Sequence, residues 1–480
     1  MKKILSVVLV LVLCLSAFSS YAETSARENV KVEARKIEKT DEDLTLKILY
    51  PYLTGFKAAS ELNNIMQKRN IASIGYIGKA QAYIKDLKEQ QKKAGEQVSN
   101  ISASLEAYFD YNISGSILSV VINSYQYTGG AHGMSYLESY TVNTKTNEIY
   151  TKFSSLFNAS SNYKKAILDK IYKLIDKEKD LYFDDAKKAV ASKNSDYQFY
   201  IDGNKLVIYF GLYELRPYAG GMPVFEINVK ELKGLLKEDI YKQMMNAKSL
   251  EKVRFNGTTL KLQPKLYEQQ YTLMVPLQDI ARLLGYKVTW DAKKGWGVGG
   301  GYVKNKVNSY YSDKSAGKVQ LNLPPKAIGN VMYVPHAYFS TVLKEDVFYY
   351  GDAVRIYKID AQKQSLFDKQ IAEFIEPDTA EEAVEMYAKA VQDRKGAIQY
   401  ALYSDTMKAS QKAELEKLNW VTGVSSPWVS GYEIKKTGGN SFDIVFHWAT
   451  SAGKEPDTVT KVKVTKVTDQ ENWQISGVKY

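Results

Sequence analysis

Alternating apolar and polar positions divide the first half of the chain into strands separated by helical stretches. Residues 30–36 read as a first strand, and 44–50 alternate and predict a second, closed by Pro51. Residues 108–113 and 117–127 predict a strand pair turned at Ser114-Gly115, and 135–142 a further strand. Between these lie two stretches with helical spacing, 56–69 and 80–98; the second carries Lys, Glu and Gln on most faces and reads as solvent-exposed. Residues 163–177 repeat Ile and Leu at helical spacing. Strands follow at 198–201, 205–210 and 224–227, with Asp202-Gly203 as a hairpin signal, and 229–245 reads as a closing helix. This order predicts an α+β unit over residues 23–245, with helices packed on an antiparallel sheet.

From Lys252 the pattern changes. Val275-Pro276-Leu277 opens a strand, short helix and strand unit that returns at Val334-Pro335-His336, so 252–360 reads as an internal repeat. A proline needs no donor at a helix start, which suits the position of Pro276 and of Pro335. The glycine run from Gly295 to Gly301 lacks the Lys-Ser/Thr pair of a phosphate loop and reads as a flexible loop. After a linker at 362–370, residues 371–480 give helices and then four strands. Thr379 and Glu382 are spaced as a capping box, a second helix reads at 408–418, and strands read at 428–436, 442–450, 458–467 and 473–478. The whole chain thus reads as a multidomain α+β protein.

Composition adds the compartment. Residues 1–22 carry Lys2 and Lys3, an apolar run to Leu15 and a small-residue site at Ser20-Tyr21-Ala22, the pattern of a secretory signal peptide. The run is short for a membrane span, and no second one follows, so no transmembrane anchor is expected. Cys14, the single cysteine, lies inside it behind Leu13, which argues against a lipid-modified cysteine. Removing the leader takes two lysines and lowers the net charge from +11 to +9. A basic secreted protein suits contact with anionic wall polymers. No basic arm or nucleic-acid motif appears, so nucleic acid is not an expected partner. The 37 tyrosines suit half-buried strands and also stacking surfaces.

One turn stands out: Tyr127-Thr128-Gly129-Gly130-Ala131-His132-Gly133, set between two predicted strands. It reads either as a tight connection with His132 in a structural role, or as an exposed recognition turn on a rigid sheet. It resembles the hallmark of an extracytoplasmic domain of RsiV-type anti-sigma factors and of some peptidoglycan deacetylases. Ile48-Leu49-Tyr50-Pro51, Tyr140-Thr141-Val142-Asn143, Leu156-Phe157, Phe199-Tyr200-Ile201-Asp202 and 213–221 extend the resemblance in order across about residues 30–240. In the RsiV-type sensors this domain binds lysozyme. The resemblance therefore implies a lysozyme-like protein or a peptidoglycan wall polymer as partner, with Tyr125, Tyr127, His132, Tyr213, Arg216 and Tyr218 as the recognition residues. Lysozyme is cationic, so a basic chain would need a local acidic patch to hold it.

Residues 252–360 resemble the N-terminal stalk module of copper amine oxidases. The chain's 3 histidines, His132, His336 and His447, fall one in each predicted unit, and the quinone precursor motif is missing, so no copper and no other cofactor is expected. Residues 371–480 resemble, in element order and in Trp473-Gln474-Ile475, a nuclear-transport-factor-like or cystatin-like cone, whose pocket His447 and Asp443 would line. No GxSxG elbow, HExxH or paired-histidine zinc spacing occurs. A carboxylate pair is open to Asp110, Glu138, Glu214 and Glu226. The expected function is a secreted, non-catalytic binding protein at the cell envelope; the alternative is an accessory wall hydrolase or deacetylase-associated enzyme using two carboxylates.

Overall fold

The computed structural model describes residues 30–303, 310–313, 317–350, 353–467 and 472–480. The predicted leader, residues 1–22 with Cys14, lies outside them. The architecture is α+β, built on several mostly antiparallel sheets.

The first sheet holds β1 (Lys31–Thr40), β2 (Leu44–Thr54), β3 (Ala103–Ser114), β4 (Ile117–Tyr127) and β5 (Met134–Asn143) side by side in chain order. Its one parallel pair is β2 with β3, matched from Leu44 to Ile48. A parallel pair needs a long crossover, and α1 (Ala59–Ala94) supplies it as one helix of 36 residues. The sequence predicted two helices here, 56–69 and 80–98, and the stretch between them holds Gly75 and Gly78, each unfavourable in a helix by about 1 kcal/mol. Tertiary packing overrides that loss. A Cβ on Gly75 would overlap Cγ of Glu376, and one on Gly78 would stand 3.1 Å from Cγ1 of Ile375. The two glycines open the helix face to a segment arriving from the far end of the chain. Strand β2 also runs on through Pro51, which pairs with Ala34 of β1. Pairing with β3 has ended by Ile48, so the strand has an open edge where a missing donor is tolerated.

A second layer covers one end of this sheet. Strands β6 (Gln198–Asp202), β7 (Lys205–Tyr209) and β8 (Val224–Asn228) form a small antiparallel sheet. It is tied to the first: the Ile201 amide donates to Oγ of Ser119 at 3.0 Å, and Oγ of Ser139 donates to the Phe199 carbonyl at 2.5 Å. Helices α2 (Tyr163–Lys177), α3 (Ala186–Ser192) and α4 (Glu238–Met245) complete a separate core around Phe153, Ile167, Ile171 and Phe225. The closing helix is shorter than the predicted 229–245. Val229–Leu232 is a 3-10 turn, and Gly234 at φ 76° ends it before α4 begins.

The repeat of the middle region is visible as geometry. Its two Val-Pro strands, Thr272–Pro276 and Val331–Pro335, pair antiparallel, with Val275 opposite Val334. The two copies are thus related by a local twofold. The first leads into helix Leu277–Leu283, the second into a π-type turn, Tyr338–Val342. The glycine run forms a hairpin where a flexible loop was predicted. Strands Gly295–Val298 and Gly301–Val303 pair around Gly299 and Gly300, whose φ values of 59° and 86° suit a tight primed turn.

The middle region is fastened to the first sheet by buried polar contacts. Asp110 of β3 meets both Arg254 and Arg355. The Tyr111 amide donates to the Gly257 carbonyl at 2.7 Å, and the Tyr357 hydroxyl donates to the Phe109 carbonyl. Lys47 reaches Asp346 at 2.6 Å and Lys36 reaches it at 3.1 Å.

The predicted linker at 362–370 contains a helix, Leu366–Ile371, capped by the Ser365 side chain. Its Asp368 is buried and accepts from the Tyr50 hydroxyl of β2. Beyond it, helices Ala380–Gln392, Gly396–Leu402 and Asp405–Lys417 lie on a four-stranded antiparallel sheet. Thr379 caps the first of these helices as predicted: the Glu382 amide donates to Oγ1 of Thr379 at 3.0 Å, while the Glu382 carboxylate reaches one residue past the cap and accepts from the Asp378 amide at 2.7 Å. Every residue of Gly396–Leu402 is buried, so the segment carries no polar face, and sequence periodicity passes over it. This region shares one continuous core with α1 and the first sheet.

Candidate functional site

The turn after β4 and the loop after β7 lie far apart in sequence, and the fold closes them on each other. The Gly129 and Gly130 backbones adopt φ of 96° and 94°, which favours glycine. Gly133 is held for a different reason. A Cβ there would overlap Cζ of Tyr125 and stand 2.6 Å from the Gln126 carbonyl oxygen. The Tyr125 hydroxyl accepts from the Gly133 amide at 3.2 Å, and the Tyr127 hydroxyl donates to the Gly130 carbonyl at 2.9 Å. These two tyrosines shape the turn from beneath.

The other loop supplies the rest. The Tyr218 hydroxyl donates to the Gly133 carbonyl at 3.0 Å, and its ring stacks on His132 at 4.1 Å. The Tyr213 hydroxyl lies 3.3 Å from Nε2 of His132, while Nδ1 lies 3.0 Å from the Gly133 carbonyl. A carbonyl only accepts, so Nδ1 carries the proton and Nε2 accepts from Tyr213 when the ring is neutral. The result is a three-ring face of Tyr213, His132 and Tyr218. His132 is exposed and Tyr213 is 46% exposed.

Tyr213 stands at φ 64°, a conformation that is unfavourable for a bulky side chain. Arg216, by contrast, serves its own loop. It donates to the Gly221 and Met222 carbonyls at 3.1 and 2.7 Å and lies over the Tyr182 ring. Burial pushes the Tyr182 hydroxyl above its ordinary pKa, an effect the Arg216 charge opposes. Of the six residues singled out from sequence, the fold gathers His132, Tyr213 and Tyr218 into one face. Tyr125 and Tyr127 support it, and Arg216 braces the loop.

Tyr125 also opens onto a cleft of about 420 Å³ between the outer face of the first sheet and the middle region. Tyr108 and Tyr136 line the sheet side, and Phe348, Tyr349 and Tyr350 line the other. Nothing in the sequence marks these residues, because each looks like an ordinary half-buried strand aromatic. A second cavity of about 330 Å³ lies in the C-terminal region, with Tyr387, Gln399, Tyr403 and Trp448 among its walls. Asp443 and His447, expected to line it, do not. Phe446 and Trp448 face the cavity, so strand alternation turns His447 outward, where Nδ1 lies 3.0 Å from Asp457.

The candidate acids are all engaged by cations. Asp110 is buried between two arginines. Glu138 lies 2.8 Å from Nε of Arg69, Glu214 3.4 Å from Lys193 and Glu226 2.5 Å from Lys205. Among the described residues no group of three His, Cys, Asp or Glu could hold a metal ion. His336 sits apart from the other two histidines, beside the Tyr349 ring, and burial lowers its pKa.

Three stretches match known families. Residues 37–135 match a model described as Deacetylase PdaC, and 154–230 match DUF3298, a protein family of unknown function. Residues 254–358 match the copper amine oxidase N-terminal domain. These domain types suggest a cell-envelope protein. Among solved structures, a DUF3298 family member from Bacteroides fragilis is 17% identical, covers 45% of this chain and 98% of its own, and superposes with a TM-score of 0.35. A DUF3298 family protein from Pseudomonas aeruginosa is 12% identical, covers 45% and 95%, and gives 0.27. No curated protein matches the chain. Among the described residues no helix is long and apolar enough to cross a membrane.

Proposed function

We propose that this is a secreted, non-catalytic binding protein of the cell envelope, recognising a wall glycan or a lysozyme-like protein through the face of His132, Tyr213 and Tyr218. One observation carries the reading. Two distant segments converge to hold three rings at the surface, and one of them, Tyr213, is kept in an unfavourable backbone conformation while nearly half exposed. Backbone strain kept at an exposed aromatic is a common mark of a recognition site. The ring faces offer apolar area, and their hydroxyl and imidazole edges offer hydrogen bonds. The basic net charge of the chain favours the wall over a cationic protein.

The test is a pull-down of the full chain on insoluble peptidoglycan and on immobilised lysozyme, at low and high salt. Capture by either that resists salt and falls at least tenfold in His132→Ala and Tyr213→Ala supports the reading. Capture that vanishes with salt points to charge alone, and salt-resistant capture that is the same in both variants overturns the reading.

The description of the family matched by residues 37–135 keeps one alternative in view, an accessory wall enzyme working beside a deacetylase. Release of soluble product from peptidoglycan by the full chain, lost in Glu138→Gln, would favour that alternative.

A further inference from the structure

We propose that the cleft between the first sheet and the middle region is a second binding site, taking a neutral saccharide segment about two rings long. The inference rests on the envelope-glycan reading above, and it concerns different residues.

The floor of the cleft is an aromatic cluster formed where the two regions meet. The Tyr108 ring lies 5.1 Å from Phe348 and 5.7 Å from Tyr350. Two tyrosines stand up from it with much of their rings open, Tyr136 at 42% and Tyr350 at 52% exposure. A sugar ring has apolar C–H faces and a polar hydroxyl rim. Exposed tyrosine rings match the first, and hydroxyls and amides match the second. The rim provides those groups. Among the described residues, the side chains of Glu106, Asn123 and Ser135 line the cleft and take part in no hydrogen bond or ion pair. The volume of about 420 Å³ falls at the small end of the roughly 300–1,000 Å³ usual for ligand pockets.

Charge decides the class of sugar. The one lysine lining the cleft, Lys47, is already paired with Asp346 at 2.6 Å. The arginine beneath Tyr108, Arg355, is paired with Asp110. No free cation faces the cleft among its described lining residues, while Glu106 leaves it a carboxylate. A phosphate- or carboxylate-bearing polymer would meet repulsion there. A neutral chain with hydroxyl and amide groups would not. The basic surface elsewhere is free to meet anionic wall polymers, so the two sites would divide the envelope's chemistry between them.

The test uses calorimetry on the full chain with three probes: triacetylchitotriose, cellotriose and a glycerol-phosphate oligomer. The proposal expects binding of at least one neutral trisaccharide and none of the phosphate oligomer at the same site. It further expects a tenfold or greater loss in Tyr136→Ala and in Tyr350→Ala, with most of the affinity kept in Tyr136→Phe. Both tyrosines are exposed, so their loss leaves folding intact; unchanged thermal melting of each variant confirms this. Failure of both neutral sugars to bind overturns the cleft proposal, as does binding indifferent to both alanine variants or competition by the phosphate oligomer. The same measurements on His132→Ala separate the two sites. If wall capture falls while trisaccharide affinity holds, both proposals stand. If wall capture holds in that variant, the turn reading fails and the cleft is judged on its own variants.

Discussion

Nη2 of Arg355 lies 2.8 Å from Oδ2 of Asp110, and the two residues are 5% and 3% exposed. Asp110 belongs to the first sheet and Arg355 to the last strand of the middle region, so this buried pair fixes one against the other. It also floors the aromatic cleft, since the guanidinium lies 4.5 Å from the Tyr108 ring centroid.

Removing one member should therefore do more harm than removing an exposed ion pair. Arg355→Met leaves the Asp110 carboxylate buried with Arg254 as its remaining partner. We expect a loss of roughly 3 kcal/mol, the low end for a broken buried pair, read by denaturant unfolding. The double variant Asp110→Leu with Arg355→Met should recover part of that loss, because the charge it leaves, on Arg254, is only partly buried and still donates to the Glu251 carbonyl. A double variant as unstable as the single one would show that lost packing, not charge, dominates.

The turn face gives a second prediction. Tyr218→Phe removes the donor to the Gly133 carbonyl but keeps the stack on His132, and should cost about 0.5–1.5 kcal/mol. Gly133→Val has no such latitude, because its Cβ would meet the Tyr125 ring and the Gln126 carbonyl. We expect it to displace the turn and abolish ligand capture while most of the chain stays folded, seen as local amide exchange confined to residues 125–135.

A third prediction concerns how the C-terminal region docks. Gly75→Val would push a branched side chain into Glu376, and although valine suits a helix better than glycine by a few tenths of a kcal/mol, the contact should open. The expected result is faster proteolysis near residues 372–379 and a lower melting temperature. A variant more stable than the parent would mean that the Glu376 side chain moves aside at little expense.

Much of this architecture was legible in the sequence because local pattern and tertiary fold agree there. The strand at 117–127, the Thr379 cap and the twofold repeat of Val275-Pro276 and Val334-Pro335 all survive into the structure. Sequence and structure part where long-range contact overrides local preference. Gly75 and Gly78 look like breaks until Ile375 and Glu376 are placed on them. Pro51 looks like a strand end until the open edge of β2 is seen. The glycines at 299 and 300 look like slack until their positive φ values close a hairpin. At the candidate site, the motif positions could be marked from the resemblance, but nothing in the spacing said that Tyr213 and Tyr218 would meet His132 while Arg216 turns to its own loop. The cleft was invisible, since its walls come from strands far apart in sequence that join through long-range contacts such as Asp110 with Arg254 and Arg355.

The last prediction follows from a lysine enclosed where the C-terminal region meets α1. Lys408 is buried, and burial lowers its pKa to about 8 against the pull of Asp405, which raises it. The sign follows from proton counting. Below about pH 8 both folded and unfolded chains hold the proton, and the penalty for burying the charge is complete and constant. Between about 8 and the ordinary lysine value of 10.5 the unfolded chain holds it and the folded chain does not, so this group's contribution to stability rises with pH. Lys408→Met removes the charge and keeps most of the apolar stem. It should stabilise the protein at pH 7 by about 1–3 kcal/mol, with the advantage shrinking steadily as pH climbs through 8 to 10. Denaturant unfolding of parent and variant across that range gives the difference curve. A flat difference, or a variant less stable at pH 7, would show that the ammonium finds enough compensation from Asp405, Glu376 and the Tyr400 ring to offset its burial.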